Sequence, residues 1–180
     1  RANPVDVTMS LAKGFRQRGG RLIEGVCVTD VVQTQGKVSA VVTDHGTVET
    51  QYVVNCAGMW ARQFGKLAGV SLPLQAAEHY YLITEDTPAM TPKTPVLEDP
   101  DRYAYFREEV GGMMIGLFEP QAAPWNLDRI PDDFSFGEIE PDWERMIPFL
   151  ESAYERIPEA KDLGIRKFFC GPESFTPDLA

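Results

Sequence analysis

The side chains best suited to chemistry lie in two short β-prone stretches. In Glu78-His79-Tyr80-Tyr81-Leu82-Ile83, period-two alternation puts His79, Tyr81 and Ile83 on one face of a strand and Glu78, Tyr80 and Leu82 on the other. In Tyr103-Ala104-Tyr105-Phe106-Arg107, the same rule gives Tyr103, Tyr105 and Arg107 a common face. Histidine takes or gives a proton near neutrality, and an arginine beside tyrosines can grip a carboxylate through two parallel hydrogen bonds. Each residue also has a plainer reading. A mid-strand histidine can be a hydrogen-bonded core residue, and an arginine at a sheet rim can reach water. The residues alone leave both readings open.

A third stretch, Tyr52-Val53-Val54-Asn55-Cys56-Ala57-Gly58-Met59-Trp60, reads as a buried strand that stops at Ala57-Gly58, where a helix begins. Strand, glycine and helix start in that order bring backbone amides close to a ligand, as nucleotide cofactors require. A tight connection that touches nothing fits the same nine residues. Other chemistries find less support. No serine or cysteine lies in a nucleophile-elbow pattern, and the adjacent carboxylates Glu108-Glu109 and Asp132-Asp133 read as solvated loop charges. Three widely spaced cysteines (Cys27, Cys56 and Cys170) and two histidines fit neither a disulfide framework nor a metal knuckle.

The elements that must position these residues are legible in part. Asn3-Pro4 opens a helix over 4–18 with Thr8, Leu11, Ala12 and Phe15 on one face, and Gly19-Gly20 ends it. Residues 22–28, 38–43 and 47–56 read as strands. Asp44-His45-Gly46 joins the last two as a hairpin turn in which His45 is solvated. Trp60, Phe64, Leu67 and Ala68 carry a helical stripe that Gly69 closes. Beyond it, 72–84, 102–109 and 113–119 read as strands, the last two around Gly111-Gly112. A helix over 142–156 carries Trp143, Met146, Ile147, Leu150 and Tyr154 on one side, with Pro148 set to kink or split it, and 166–170 is a last strand.

The fold class expected is mixed α/β and α+β. Residues 1–70 form part of a nucleotide-binding domain with a β-hairpin insertion, 71–170 an antiparallel-sheet substrate domain, and 171–180 begin the return to the first domain. Net charge −10 disfavours nucleic acid and anionic lipid. No apolar run reaches the ~18 residues of a membrane span, so a soluble protein or a soluble piece of one is expected.

Taken together, Asn3-Pro4, Tyr52 to Trp60, Ala76-Ala77-Glu78-His79-Tyr80-Tyr81 and Gly171 to Asp178 resemble the flavin-dependent amine oxidoreductases related to D-amino-acid oxidase. Within these the chain is most similar to the dimethylglycine and sarcosine dehydrogenases. The resemblance implies an FAD-binding domain of the glutathione-reductase type beside a sheet-rich substrate domain. It also implies that the stretch begins after the G-x-G-x-x-G turn, and that by itself it is inactive. Position by position, Val28, ending its strand, would meet the adenosine half of FAD, and Cys56, Ala57 and Gly58 the ADP moiety, with Trp60 opening the next helix. His79 matches the substrate-site histidine and Tyr105 its partner tyrosine, Tyr103 being the other residue that aligns there; Arg107 would hold the substrate carboxylate.

The reaction implied is hydride transfer from an N-methylated amino acid to FAD, in the cytoplasm of a bacterium or the mitochondrial matrix of a eukaryote. In many relatives FAD is covalently attached through an upstream histidine, and a separate C-terminal domain binds tetrahydrofolate; these residues report on neither. Two rival readings are a non-catalytic regulatory homologue of the same fold, and an oxidase of the superfamily acting on D-amino acids or glycerol 3-phosphate.

Overall fold

The computed structural model describes residues 2–126 and 128–178 and divides into two compact units. The first comprises residues 1–56 and 63–71, the second 57–62 and 72–180.

In the first unit, α1 (Pro4–Gln17) starts as the capping chemistry requires. The Asn3 side chain accepts from Val5 N at 2.9 Å and Asp6 N at 3.2 Å, and Gly19 takes φ +84° just past the last turn. A three-stranded antiparallel meander follows, β1 (Val28–Thr34), β2 (Lys37–Thr43) and β3 (Gly46–Glu49). The β2–β3 connection is the two-residue loop Asp44-His45, with His45 exposed and its Nδ1 2.8 Å from Asp44 Oδ1. The insertion thus has one strand more than the expected hairpin. Gln35 and Gly36 both take positive φ, 53° and 74°, which is the backbone of a tight hairpin turn and folds β1 onto β2.

Two strand assignments are corrected here. Residues 22–27 are not a strand, and Val28 opens β1 instead of closing an earlier strand. The expected buried strand over 52–56 is absent too: β3 ends at Glu49, and Tyr52 and Val54 are 84% and 82% exposed. A strand exists only with a hydrogen-bonding neighbour, and neither segment pairs within the two sheets.

In the second unit, Gly58–Trp60 forms a single 3₁₀ turn leading into α2 (Ala61–Leu67), of which Ala61 and Arg62 belong to this unit and the rest to the first. The body is a five-stranded antiparallel sheet of β4 (Gln75–Asp86), β5 (Leu97–Asp99), β6 (Ala104–Glu109), β7 (Gly112–Leu117) and β8 (Ile165–Phe175), in the order β5-β6-β7-β4-β8. β8 runs five residues past its expected end, because β4 offers it partners from Thr84 down to Gln75. The helix α3 (Trp143–Arg156) is capped by Asp142 and continues unbroken through Pro148.

Alternation sorts this sheet into two faces. Tyr80, Leu82, Ala104, Phe106, Ile115, Leu117 and Cys170 are buried in one core cluster with Met146, Leu150 and Ala153 of α3. Fully burying an aliphatic side chain of this size contributes about 1.5–3 kcal/mol, so this face holds the sheet and α3 together. The opposite face carries His79, Tyr81, Tyr105, Arg107 and Phe169. None of the described helices is long and apolar enough to cross a membrane.

Candidate active site

Register builds the site. β4 pairs Tyr81 with Gly116 of β7, which pairs in turn with Tyr105 of β6, while β8 sets Phe169 beside Tyr81 and Gly171 beside His79. Gly116 is what lets the rings converge. A Cβ there would come within 1.7 Å of Tyr105 Cζ, so the phenol lies across the bare glycine. It reaches His79, whose ring is nearly parallel to it, 12° between planes and 6.4 Å between centroids. Tyr81 stacks on Phe169 at 4.4 Å in the same manner.

His79 is mostly buried and is held by acids. Its Nδ1 lies 3.1 Å from Glu119 Oε2 and 3.6 Å from Glu173 Oε2. Burial works against the imidazolium, but the Glu119 hydrogen bond and the charges of Glu119 and Glu173 outweigh it and raise His79 above the ordinary histidine range. The other Glu119 oxygen accepts from the Tyr80 backbone N–H at 2.8 Å, just past the end of β7, where the ladder supplies no carbonyl. Burial pushes the Tyr105 phenol up to about 12; Arg107 pulls against this, while Glu173 and Glu119 add to it. At neutral pH Tyr105 is therefore a hydrogen-bond donor, not a phenolate.

An open cavity of about 490 Å³ adjoins this group, with His79 and Glu173 on one side and Trp60, Phe134, Phe136 and Phe169 around it. The Trp60 indole is fixed by donating to Pro131 O at 3.1 Å. An aromatic wall with the Glu173 carboxylate beside it suits a small cationic amine, which both ring faces and an acid attract.

The remaining sequence candidates fall elsewhere. Arg107 shares the site face, but its Nη2 is 2.7 Å from Glu109 Oε2 and its Nε 3.0 Å from Met114 Sδ. Tyr103 precedes β6 in a left-handed turn at φ +54° and is half exposed, so Tyr105 is the tyrosine that meets His79. Val28 belongs to the first unit with Cys56, and Ala57, Gly58 and Trp60 to the second. Gly58 takes φ +55°, a left-handed conformation that favours glycine, with nothing within 4 Å of a Cβ built on it. An exposed left-handed turn with open space at its Cβ is a backbone against which a cofactor can lie, so the Gly58 turn is compatible with FAD. Burial pushes the Cys170 thiol up to about 11, which keeps it inert.

Glu119 escaped the sequence reading. It stands 40 residues from His79, and no local pattern links an acid after β7 to a histidine inside β4. Gly116 did leave a signal, a lone glycine inside an apolar strand, which marks a close approach.

Comparison with known proteins gives this geometry a context. The chain is 36% identical over 181 residues to the mitochondrial sarcosine dehydrogenase of Mus musculus, covering 98% of this chain and 19% of that protein. It is equally identical, 36% over 179 residues, to the mitochondrial pyruvate dehydrogenase phosphatase regulatory subunit of the same organism, covering 97% of this chain and 20% of that protein. The chain thus spans about a fifth of the length of these relatives. Among solved structures, the L-proline dehydrogenase of P. horikoshii shares the fold, with a TM-score of 0.75 and 22% identity over 98% of this chain and 45% of that one. The family model described as FAD dependent oxidoreductase matches residues 1–179, and the chain belongs to that family.

Proposed function

We propose that the full-length protein carrying this chain oxidises an N-methylated amino acid of the sarcosine or dimethylglycine type, and that the second unit is its substrate domain. The observation that carries this reading is His79, stacked on Tyr105 and backed by Glu119, at the edge of an aromatic-lined cavity. The mouse sarcosine dehydrogenase, alike over nearly the whole chain, supports it.

An amine gives up hydride only when its nitrogen lone pair is free, so the site must remove the ammonium proton and hold the neutral amine in place. His79 takes that proton and Tyr105 donates a hydrogen bond to the substrate. Arg107 receives the substrate carboxylate by exchanging it for Glu109. On the second unit Ala57, Gly58 and Trp60 would hold the cofactor; Val28 and Cys56 are the first unit's candidates for contact with it. When bound, FAD supplies the acceptor for the hydride.

The mouse regulatory subunit, as similar to this chain as the dehydrogenase, favours a second reading: the same fold serving in regulation without turnover. One experiment separates them. Anaerobic addition of sarcosine or dimethylglycine to the full-length protein bleaches the flavin spectrum if the first reading holds. A bound flavin that neither amine bleaches refutes it.

A further inference from the structure

We propose that Glu119 is a positioning residue that pins the proton of neutral His79 on Nδ1 and so leaves Nε2 as a lone-pair acceptor facing the substrate. The inference rests on the reading of His79 as the substrate-site base, and it assigns the device that makes a base of it.

Two fixed hydrogen bonds carry the argument. Glu119 comes from beyond the end of β7, and its side chain is 5% exposed. Oε1 accepts from the Tyr80 backbone N–H at 2.8 Å, and Oε2 lies 3.1 Å from His79 Nδ1. An ionised carboxylate can only accept, so the second bond requires hydrogen on Nδ1. The neutral ring then has one tautomer, with the lone pair on Nε2. The groups facing the ring are Glu119, Glu173 from β8 and Tyr105 from β6. Glu173 lies at 3.6 Å from the same nitrogen and is half exposed, so it adds charge without fixing direction.

The Tyr80 N–H makes the idea testable. A peptide N–H cannot become an acceptor, so in Glu119→Gln the amide oxygen must stay on Tyr80, and the NH₂ group must face His79. An NH₂ donor there selects the opposite tautomer, with hydrogen on Nε2. The variant therefore keeps the backbone bond and reverses the ring.

The test is ¹⁵N NMR of histidine-labelled full-length protein at a pH where the ring is neutral, with the His79 signals assigned by their loss in His79→Gln. Wild type should show a pyrrole-type Nδ1 and a pyridine-type Nε2, and Glu119→Gln should show the two exchanged. In stopped-flow reduction by sarcosine, the same variant should be roughly 10- to 100-fold slower where the amine is protonated. The deficit should close at high pH, where the amine arrives neutral. A purely structural acid would lower melting temperature and leave tautomer and pH profile alone. Hydrogen on Nε2 in the wild type overturns the proposal even if the variant fails to fold, and so does an unchanged tautomer in a folded variant. Because the tautomer is read without substrate, its outcome stays separate from whether sarcosine bleaches the flavin.

Discussion

Tyr105 reaches His79 only because Gly116 stands between their strands without a side chain. The phenol occupies the space a Cβ would fill, so Gly116→Ala must expel the ring from its stack. Flavin reduction by the amine should fall to within a few-fold of Tyr105→Ala, and His79→Ala should cost roughly 10- to 10,000-fold. Cofactor content should stay intact in all three variants, since these residues line the sheet face and not the Gly58 turn. A Gly116→Ala enzyme that reduces flavin at the wild-type rate would show that the stack has no part in turnover.

Stability should depend on pH through His79 with a defined sign. Its proton affinity in the folded state is raised above that in the unfolded chain, so protonation favours folding. That contribution is complete below the unfolded value of about 6.5 and is lost as pH rises through the raised folded value. The melting temperature of wild type minus that of His79→Gln should therefore be larger near pH ~5.5 than near pH ~9. Carboxylates remote from His79 cancel in the difference, whereas Glu119 and Glu173 belong to the effect being measured. A gap that widens toward alkaline pH would contradict the acidic surroundings of this ring.

Gly58 separates strain from obstruction. At φ +55° an alanine should cost about 1–2 kcal/mol, whereas asparagine tolerates the left-handed region. Apo-protein stability should fall in Gly58→Ala and hold in Gly58→Asn. If FAD lies against this turn, both variants should bind it more weakly; thermal melts with FAD titration give the two answers together. Wild-type FAD affinity in a folded Gly58→Asn protein would leave the turn a structural role alone.

Thr84 guards the register of the same sheet. It is buried, accepts from Met113 N at 2.9 Å and donates to Glu85 O at 2.7 Å, where the β4 pairings shift. Thr84→Val keeps the shape but leaves the Met113 N–H unpaired, so chemical denaturation should show a loss of about 1–3 kcal/mol. A neutral result would mean that the bulge re-forms its bonds without the hydroxyl.

What could be read from the residues was whatever short-range chemistry decides. The Asn3 cap, the Asp44-His45 turn, the alternation along β4 and β6 and the Met146 and Leu150 part of the α3 stripe, whose Trp143 and Ile147 are instead exposed, each depend on neighbours within a few positions. The failures share one cause. Residues 22–27 and 52–56 are as apolar as strands, yet strand formation is settled by a distant partner that their own composition does not encode. The Gln35-Gly36 turn, which the sequence reading passes over, is the local feature that makes Val28 the start of β1 and not the end of an earlier strand. His79 and Tyr105 showed in the alternation, whereas Glu119 emerged only when the strand order brought it alongside β4.

The two-faced sheet has a consequence for how this protein can change. Because odd and even positions of β4 and β6 serve different masters, the residues on the His79 face can be exchanged one at a time while the packing against α3 stays as it is. Insertion or deletion of a single residue inside β4 does the reverse, turning His79 inward and Tyr80 outward together. New substrate preferences in this scaffold are thus open to point substitution and closed to changes of strand length.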